Sequence, residues 1–357
     1  MFVVTNREIE KGKKGLKQFG KEPNHKTPSE LRFFEVDDED VNNVTSLNDL
    51  LTKQEVKKLV EDFDNLAIDD TKPWYQSLRV ACELFTKATA EGKSILLFIH
   101  GYNNDIGDVL KTALEIQNRY NLIVIPFCWP SNGNTISYLS DKDDARNSAT
   151  AMLRVIEKIH QYHSLLVTTR RSKLALKAKK KHPENSEAER ALFDKLLRAQ
   201  CNTKISMLCH SMGNYVLKYA SYPSHSAARK LVFDNIALVA ADVNNSNHHN
   251  WVENLCIRNR LYIVINEKDG ALKWSRRKPG EEQLERLGHH LKNLSSSNAY
   301  YIDVTRNKGV NDEHSYFKGD VVENNTTMHT IFSRIFQGDE IENELTYHAD
   351  LNVYRSS

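Results

Sequence analysis

The sequence predicts an α/β fold in which helices cover both faces of a mainly parallel central sheet. From about residue 94 onward, short runs of β-branched and aromatic residues alternate with longer stretches of helical periodicity, the pattern of crossover units. The short runs are almost continuously apolar, as expected for strands that are covered on both faces. The composition is that of a globular protein, because 40% of the 357 residues are hydrophobic and 27% are charged.

Six apolar runs are the predicted strands of this sheet. They cover residues 94–99, 122–127, 205–209, 235–240, 261–266 and 300–304. Apolar residues recur at helical spacing over 106–117, and a second pattern of this kind covers 145–159. Each pattern predicts the helix of a crossover connection.

The first ninety residues fit the same sheet less regularly. Residues 2–5 and 31–36 are predicted edge strands, and amphipathic patterns over 51–63 and 75–90 predict two helices. We therefore expect a single domain over 1–357, to which residues 1–90 contribute edge strands and helices.

Residues 164–200 break the alternation, because they separate a predicted helix from the next strand by far more than an ordinary connection. We expect an inserted, partly helical segment that caps the site. A solvated helix face is the simplest interpretation of its charges, since no base-stacking aromatic residues accompany them, and a peripheral contact of 170–181 with an anionic membrane surface is the alternative. The basic run consists of Arg170, Arg171, Lys173, Lys177, Lys179, Lys180 and Lys181.

The composition also indicates which binding partners and which cellular compartment to expect. Forty-nine Lys and Arg against 47 Asp and Glu give a net charge of +2, which argues against a nucleic-acid partner. The five cysteines contain no C-x-x-C pair and are expected to be buried free thiols. No signal-peptide pattern and no apolar run of roughly 20 residues is found, so we expect a cytoplasmic protein. No cofactor or metal motif is found either, and we expect neither group.

The most informative stretch covers residues 204–220, where an apolar strand leads through His210-Ser211-Met212-Gly213 into a helix pattern. A serine at a tight strand-to-helix turn is exposed above a helix N-terminus, which favours negative charge. The usual pattern is G-x-S-x-G, and here Cys209 replaces the first glycine while Gly213 keeps the second. Taken alone, the stretch fits the N-cap of an ordinary helix equally well.

Other loops supply the partners that a serine nucleophile needs. Asp269 follows the strand at 261–266, and His314 follows the strand at 300–304. The carboxyl ends of strands are where open α/β sheets bind ligands, and the chain order serine, acid, histidine is the required one. Asp242, after the strand at 235–240, is the alternative acid.

Two histidines stand next to these loops without fitting the catalytic order. His100 ends the strand at 94–99, and His210 directly precedes Ser211. Side chains at strand ends commonly form hydrogen bonds with the loops around them, so a structural role is the favoured interpretation of both.

With these residues in place, the chain resembles the α/β-hydrolase superfamily, and more narrowly a poorly characterised bacterial branch of esterase/lipase-like hydrolases. The resemblance implies an α/β-hydrolase fold and a serine hydrolase that cleaves a small-molecule or lipid ester, or a thioester, through an acyl-enzyme intermediate. The oxyanion would be held by the backbone N–H of Met212 and, by resemblance, that of Tyr102. The motifs that carry it are Thr5-Asn6-Arg7, His100-Gly101-Tyr102-Asn103, Trp129-Pro130-Ser131 and His210-Ser211-Met212-Gly213-Asn214.

Two other functions stay open at this point. One is a hydrolase-fold binding or scaffold protein without turnover, since a fold does not establish an activity. The other is a lipid-acting, phospholipase-like effector that residues 164–200 deliver to its target. The presence of Ser211, Asp269 and His314 together argues against a mere binding protein, which needs no nucleophile, acid and base.

Overall fold

The computed structural model describes residues 1–24, 26–63, 66–132, 138–198, 203–222, 230–278 and 284–356. Eleven of its strands form one sheet, and two form a separate ribbon. The strands in chain order are β1 (Phe2–Thr5), β2 (Arg7–Ile9), β3 (Phe19–Pro23), β4 (Arg32–Val36), β5 (Val44–Ser46), β6 (Ile95–Ile99), β7 (Ile123–Cys128), β8 (Ile205–His210), β9 (Asn235–Val239), β10 (Arg260–Ile265), β11 (Ala299–Asp303), β12 (Thr346–His348) and β13 (Val353–Arg355).

The large sheet has the order β12-β13-β11-β10-β9-β8-β6-β7-β1-β4-β5, and β2 pairs with β3 outside it. Neighbours from β13 through to β1 run parallel, whereas β12, β4 and β5 add antiparallel edges. Each of the six predicted core strands is present with both ends within one residue of the prediction. The mainly parallel sheet is therefore confirmed, while the single-domain organisation over 1–357 stays a prediction.

Helices cover both faces of the sheet, because alternate strand residues are buried on opposite sides. In β6, Leu97 packs on the side of α2, α5 and α7, and Leu96 packs on the side of α3 and α11. Each such buried aliphatic side chain contributes roughly 1.5 to 3 kcal/mol. The helices are α1 (Lys53–Asp62), α2 (Gln76–Glu91), α3 (Ile106–Tyr120), α4 (Tyr138–Asn147), α5 (Ala149–Lys181), α6 (Ser186–Arg198), α7 (Gly213–Ala220), α8 (His249–Val252), α9 (Gly270–Ser275), α10 (Asp320–Glu323) and α11 (Thr326–Phe336).

The segment predicted as an insertion continues a core helix instead of starting anew. Helix α5 runs unbroken for 33 residues, about 50 Å at 1.5 Å per residue, and α6 packs against it after the turn at 182–185. We call residues 171–198 the helical arm. In the arm, Leu174 and Ala178 of α5 are buried, whereas no residue of α6 is fully buried.

The helical arm leaves the sheet at the amino ends of the parallel strands. The guanidinium of Arg170 donates to Thr89 Oγ1 at 3.2 Å, and Thr89 Oγ1 lies 3.1 Å from Thr203 Oγ1. Thr203 stands two residues before β8 begins, and Ser211 directly follows its end. Since a six-residue strand is about 20 Å long, the expectation of a cap over the site is wrong in position.

The described cysteines are free thiols, as the composition predicts, and three of the four are buried. Cys82, Cys128 and Cys209 are buried and free, and Cys256 is a half-buried free thiol. Burial raises the pKa of Cys82 and of Cys128 to about 12, so both stay protonated at neutral pH. Cys201 lies outside the described residues.

No helix in the described part of the chain is long and apolar enough to cross a membrane. Within the same residues, no group of three or more His, Cys, Asp or Glu side chains is arranged to hold a metal ion.

Candidate active site

Ser211 lies in the turn between β8 and α7 with a left-handed backbone, at φ +52°. Such a conformation is unfavourable for a non-glycine residue and has to be imposed by its surroundings. Two backbone hydrogen bonds impose it here, from Ser211 N–H to Val239 O at 3.0 Å and from Asp242 N–H to Ser211 O at 3.2 Å. The predicted strand-turn-helix geometry around Ser211 is therefore present.

Close approaches explain why glycine occupies two positions near this turn. A Cβ atom on Gly213 would lie 2.6 Å from the Ile99 carbonyl oxygen, so α7 can pack on β6 only with glycine there. A Cβ atom on Gly101 would lie 2.7 Å from Ser211 Cβ. The loop after β6 therefore lies directly against the serine.

The amide of Asn214 braces the same turn. Its Nδ2 donates to the carbonyl oxygens of Cys209 and Ser211, both at 3.0 Å. Cys209, which replaces the usual first glycine, is fully buried in the core. Its small side chain is accommodated at this position.

Both predicted oxyanion donors flank Ser211. Met212 follows it in the chain, and Tyr102 follows Gly101 in the adjacent loop. Among the described residues, neither backbone N–H donates to another group. The loop of Tyr102 is held by the Asn104 amide, which donates to Tyr102 O at 2.7 Å, and by Asp105, the N-cap of α3.

The structure brings His314 and Asp269 together. His314 Nδ1 donates to Asp269 Oδ2 at 2.7 Å, and the Asp269 side chain is fully buried. The other carboxylate oxygen of Asp269 accepts the N–H of Leu272 at 3.0 Å and so caps α9. Both oxygens are therefore fixed, one by the histidine and one by the helix.

His314 packs against His210, the residue that directly precedes Ser211. The rings of His210 and His314 lie 4.7 Å apart, and His210 Nε2 donates to the His314 carbonyl oxygen at 3.2 Å. Ser211 Oγ forms no hydrogen bond with any described residue. Serine–histidine contacts in uncomplexed hydrolases are often long and tighten when a substrate binds.

Asp242, the alternative acid, is fully engaged elsewhere. Its carboxylate pairs with Arg286 Nε at 3.0 Å, and both side chains are buried. It also accepts from Ser275 Oγ at 2.7 Å and from Tyr138 OH at 3.1 Å. No contact between Asp242 and His314 occurs among the described residues.

His100 has the surroundings of a structural residue. Its ring stacks on Trp129 at 4.9 Å and 3°, and Trp129 Nε1 donates to His100 O at 2.8 Å. Both ring nitrogens face carbonyl oxygens, and only one of them can donate in a neutral ring. Burial, helped by the Arg7 charge, lowers the pKa of His100 to about 3, so the ring is neutral.

Two sequence motifs without a predicted role meet beside this histidine. Thr5 Oγ1 donates to Cys128 O at 2.6 Å, and the Arg7 guanidinium donates to Ser131 O at 3.0 Å. Ser131 Oγ in turn donates to Asp141 at 2.9 Å. The motifs at 5–7 and 129–131 thus join β1 to β7 and support the loop after β6.

A lysine that was not among the predicted site residues lies at the edge of the site. Lys278 Nζ lies 4.4 Å from the centre of the Tyr102 ring and 4.3 Å from that of Tyr138, and it donates to Tyr102 OH at 3.1 Å. Burial lowers the pKa of Lys278. The run of cations after Asp269 was the only sequence signal that could have pointed to it.

Comparison with protein families decides the class. A family model described as an alpha/beta hydrolase of unknown function (DUF900) matches residues 81–169 and 168–310, together more than half of the chain. The chain belongs to this family. The resemblance to α/β hydrolases and the α/β-hydrolase fold are thereby confirmed, and no curated protein and no solved structure matches the chain.

Membership in DUF900 supports a hydrolase without naming its reaction. Ser211 and Asp269 lie inside the matched ranges, and His314 lies four residues beyond them. The catalytic roles, the narrower bacterial branch, the cytoplasmic location and a membrane contact through 170–181 stay predictions.

Proposed function

We propose that this DUF900 member is a serine hydrolase that cleaves a carboxylic ester or a thioester through an acyl-enzyme intermediate. The observation that carries the proposal is the 2.7 Å contact of His314 Nδ1 with buried Asp269, next to a serine in a strained strand-to-helix turn. A binding protein needs neither the strained serine nor the oriented imidazole.

In the first half-reaction, Ser211 Oγ attacks the substrate carbonyl carbon while His314 Nε2 takes the hydroxyl proton. The oxyanion that forms accepts hydrogen bonds from the N–H groups of Met212 and Tyr102, each worth roughly 3 to 4 kcal/mol of barrier. The bond to the leaving alcohol or thiol then breaks, and His314 returns the proton to that group. The acyl group is left on Ser211.

In the second half-reaction, water takes the place of the leaving group. His314 removes a proton from the water, which attacks the acyl carbon, and the carboxylic acid leaves as Ser211 regains its proton. Asp269 fixes the imidazole tautomer with its proton on Nδ1 and stabilises the imidazolium.

Labelling with a fluorophosphonate probe tests the nucleophile. We expect the wild-type protein to form an adduct on Ser211, and the folded Ser211→Ala protein to form none. Ser221→Ala is the matched control, because this serine is buried at the end of α7 and its hydroxyl only donates to Lys218 O at 2.7 Å.

An adduct that persists in Ser211→Ala and maps to another residue would contradict the assignment. A wild-type protein that is neither labelled nor active on any ester or thioester would favour the non-catalytic binding function instead. Ester substrates of increasing chain length, free and in vesicles, then separate an esterase from a phospholipase-like enzyme.

A further inference from the structure

A polar cleft lies beside the loop that carries Asp269. Its volume is about 550 Å³, and four of its six lining residues are cations. Two lining residues directly precede Asp269 in the chain, and three belong to α9 or the turn after it. The lining consists of Glu267, Lys268, Lys273, Arg276, Arg277 and His289.

The cations of this cleft are poorly neutralised. Within the described part of the chain, Lys268, Lys273 and Arg277 form no ion pair. Arg276 approaches one carboxylate, that of Glu285, at 3.7 Å. Several like charges around one concavity repel one another and attract an anion.

His289 distinguishes this cleft from an ordinary solvated basic surface. The residue is only 9% exposed, and neither ring nitrogen has a hydrogen-bond partner among the residues that the structure describes. Buried polar side chains are nearly always hydrogen-bonded, so an imidazole without partners in a cleft wall indicates a ligand.

The backbone holds His289 in this position. Gly288 packs so closely on the end of β9 that a Cβ atom would lie 2.2 Å from Ala241 N. Gly288 O accepts from Asn266 N–H at 3.0 Å, and His289 N–H donates to Arg286 O at 3.0 Å. These contacts fix the backbone on both sides of the His289 side chain.

We propose that this cleft binds a phosphate-type dianion, which His289 holds by a hydrogen bond and which Lys273, Arg276 and Arg277 neutralise. Guanidinium groups suit the task because they bind phosphate oxygens in a bidentate manner. The dianion can be a phosphate group on the substrate of the neighbouring site or a separate phosphate-bearing ligand. The binding itself does not depend on the proposed hydrolase activity.

Calorimetric titration of the full-length protein with inorganic phosphate and with pyrophosphate, at constant ionic strength, tests the binding. We expect saturable binding that weakens at least tenfold in Lys273→Ala/Arg277→Ala and in His289→Asn. Lys57→Ala/Lys58→Ala removes the same charge from exposed positions on α1 and should bind as the wild type does. Binding that does not saturate, or that weakens equally in this control, would overturn the proposal.

A second measurement separates the two sources of the dianion. Hydrolysis of the thioester acetyl-phosphopantetheine is compared with that of dephosphorylated acetyl-pantetheine. If the substrate carries the dianion, Lys273→Ala/Arg277→Ala raises KM for the phosphorylated thioester alone. If the ligand is separate, phosphate changes kcat on the neutral thioester without competing with it. A protein that binds phosphate but is neither labelled by the fluorophosphonate probe nor active on esters or thioesters would overturn the proposed function and leave the binding site standing.

Discussion

Two aspartates at the ends of neighbouring strands have opposite surroundings. Asp242 follows β9 and Asp269 follows β10, and both side chains are almost completely buried. Arg286 neutralises the first, at 3.0 Å, whereas the second forms no Lys or Arg ion pair within the described part of the chain and accepts from the imidazole of His314 at 2.7 Å. An aspartate at the end of a strand is a candidate for the catalytic acid. Whether it pairs with a guanidinium or with an imidazole decides which role it can take.

The difference follows from which chain segment reaches each strand end. The segment around Gly288 packs on the end of β9 and places Arg286 beside Asp242. The loop after β11 instead places His314 beside Asp269. An acid paired with a guanidinium stabilises the fold, and an acid paired with an imidazole can orient a base.

The largest effect is expected from Asp269→Asn. The amide would present the wrong group to His314 Nδ1, and kcat should fall by roughly 10⁴, the loss found for the same change in another serine hydrolase. Steady-state kinetics on a small ester measures it. Asp312→Asn is the matched control, because this acid is exposed in the loop of His314 and should keep its activity.

Asp242→Asn should mainly lower stability. The substitution removes one charge of a buried ion pair, so we expect the free energy of unfolding to fall by about 3 kcal/mol in urea denaturation. The loss of kcat should be far smaller than in Asp269→Asn. Activity that depends on Asp242 more than on Asp269 would reverse the comparison and make Asp242 the catalytic acid.

A second pair of acids, Asp141 and Asp144 on α4, sharpens the contrast between a partnered and an unpartnered carboxylate. Asp141 accepts from Ser131 Oγ at 2.9 Å and from Asn132 N–H at 3.1 Å, whereas one oxygen of Asp144 has no partner among the described residues. Burial, with nearby acids adding to it, raises the pKa of Asp144 to about 7.

Because the folded state holds the Asp144 proton more tightly than the unfolded chain does, stability falls as pH rises from about 4 to about 7. Asp144→Asn removes this loss, which amounts to about 1.4 kcal/mol for each pH unit between the ordinary and the raised pKa. We therefore expect the variant to be more stable than the wild type by more than about 1 kcal/mol at pH 8, and no more stable at pH 4. Asp141→Asn should be destabilised at pH 8. Thermal unfolding at both pH values measures these differences, and a less stable Asp144→Asn at pH 8 would contradict the account.

The smallest effect is expected from deleting the helical arm, which touches neither pair of acids. Since Arg170 and Thr203 both lie next to Thr89, a short Gly/Ser linker can replace residues 171–200. We expect kcat/KM for a small soluble ester to stay within about threefold, a change below 1 kcal/mol in barrier. A loss of several orders of magnitude in a folded protein would show that the arm supports the catalytic end of the sheet.

The strands and the turn at Ser211 were predictable because their signals are local. A run such as 205–209 is almost continuously apolar and ends in a short polar turn. This pattern indicates both that the run is a strand and where the strand ends. The three-residue strands β12 and β13 are too short to give such a signal. The continuity of α5 was also missed, because beyond Thr169 only Leu174 and Ala178 are buried and the helix is rich in Lys and Arg, so its apolar periodicity weakens.

The side chains that contact one another were less predictable from the sequence than the positions of the site residues in the fold. Arg286 meets Asp242 across 44 residues of chain, and Lys278 meets Tyr102 across 176. Such contacts depend on how loops pack on the finished sheet, and no periodicity or spacing in the sequence encodes them. The prediction of a cap over the site was wrong for the same reason, since the point at which the helical arm leaves the sheet depends on such long-range packing.

The exposed end of the helical arm is a place where a protease can cut the chain into two fragments. Lys179 to Lys181 lie about 15 Å along α5 beyond Arg170 and precede an exposed turn, so trypsin should cut there first. The two fragments would then carry β6 and β8 separately, and these strands are paired side by side from Ile95↔Ile205 to Ile99↔Cys209. We therefore expect a nicked protein that stays assembled, and two half-chains that can be produced apart and recombined.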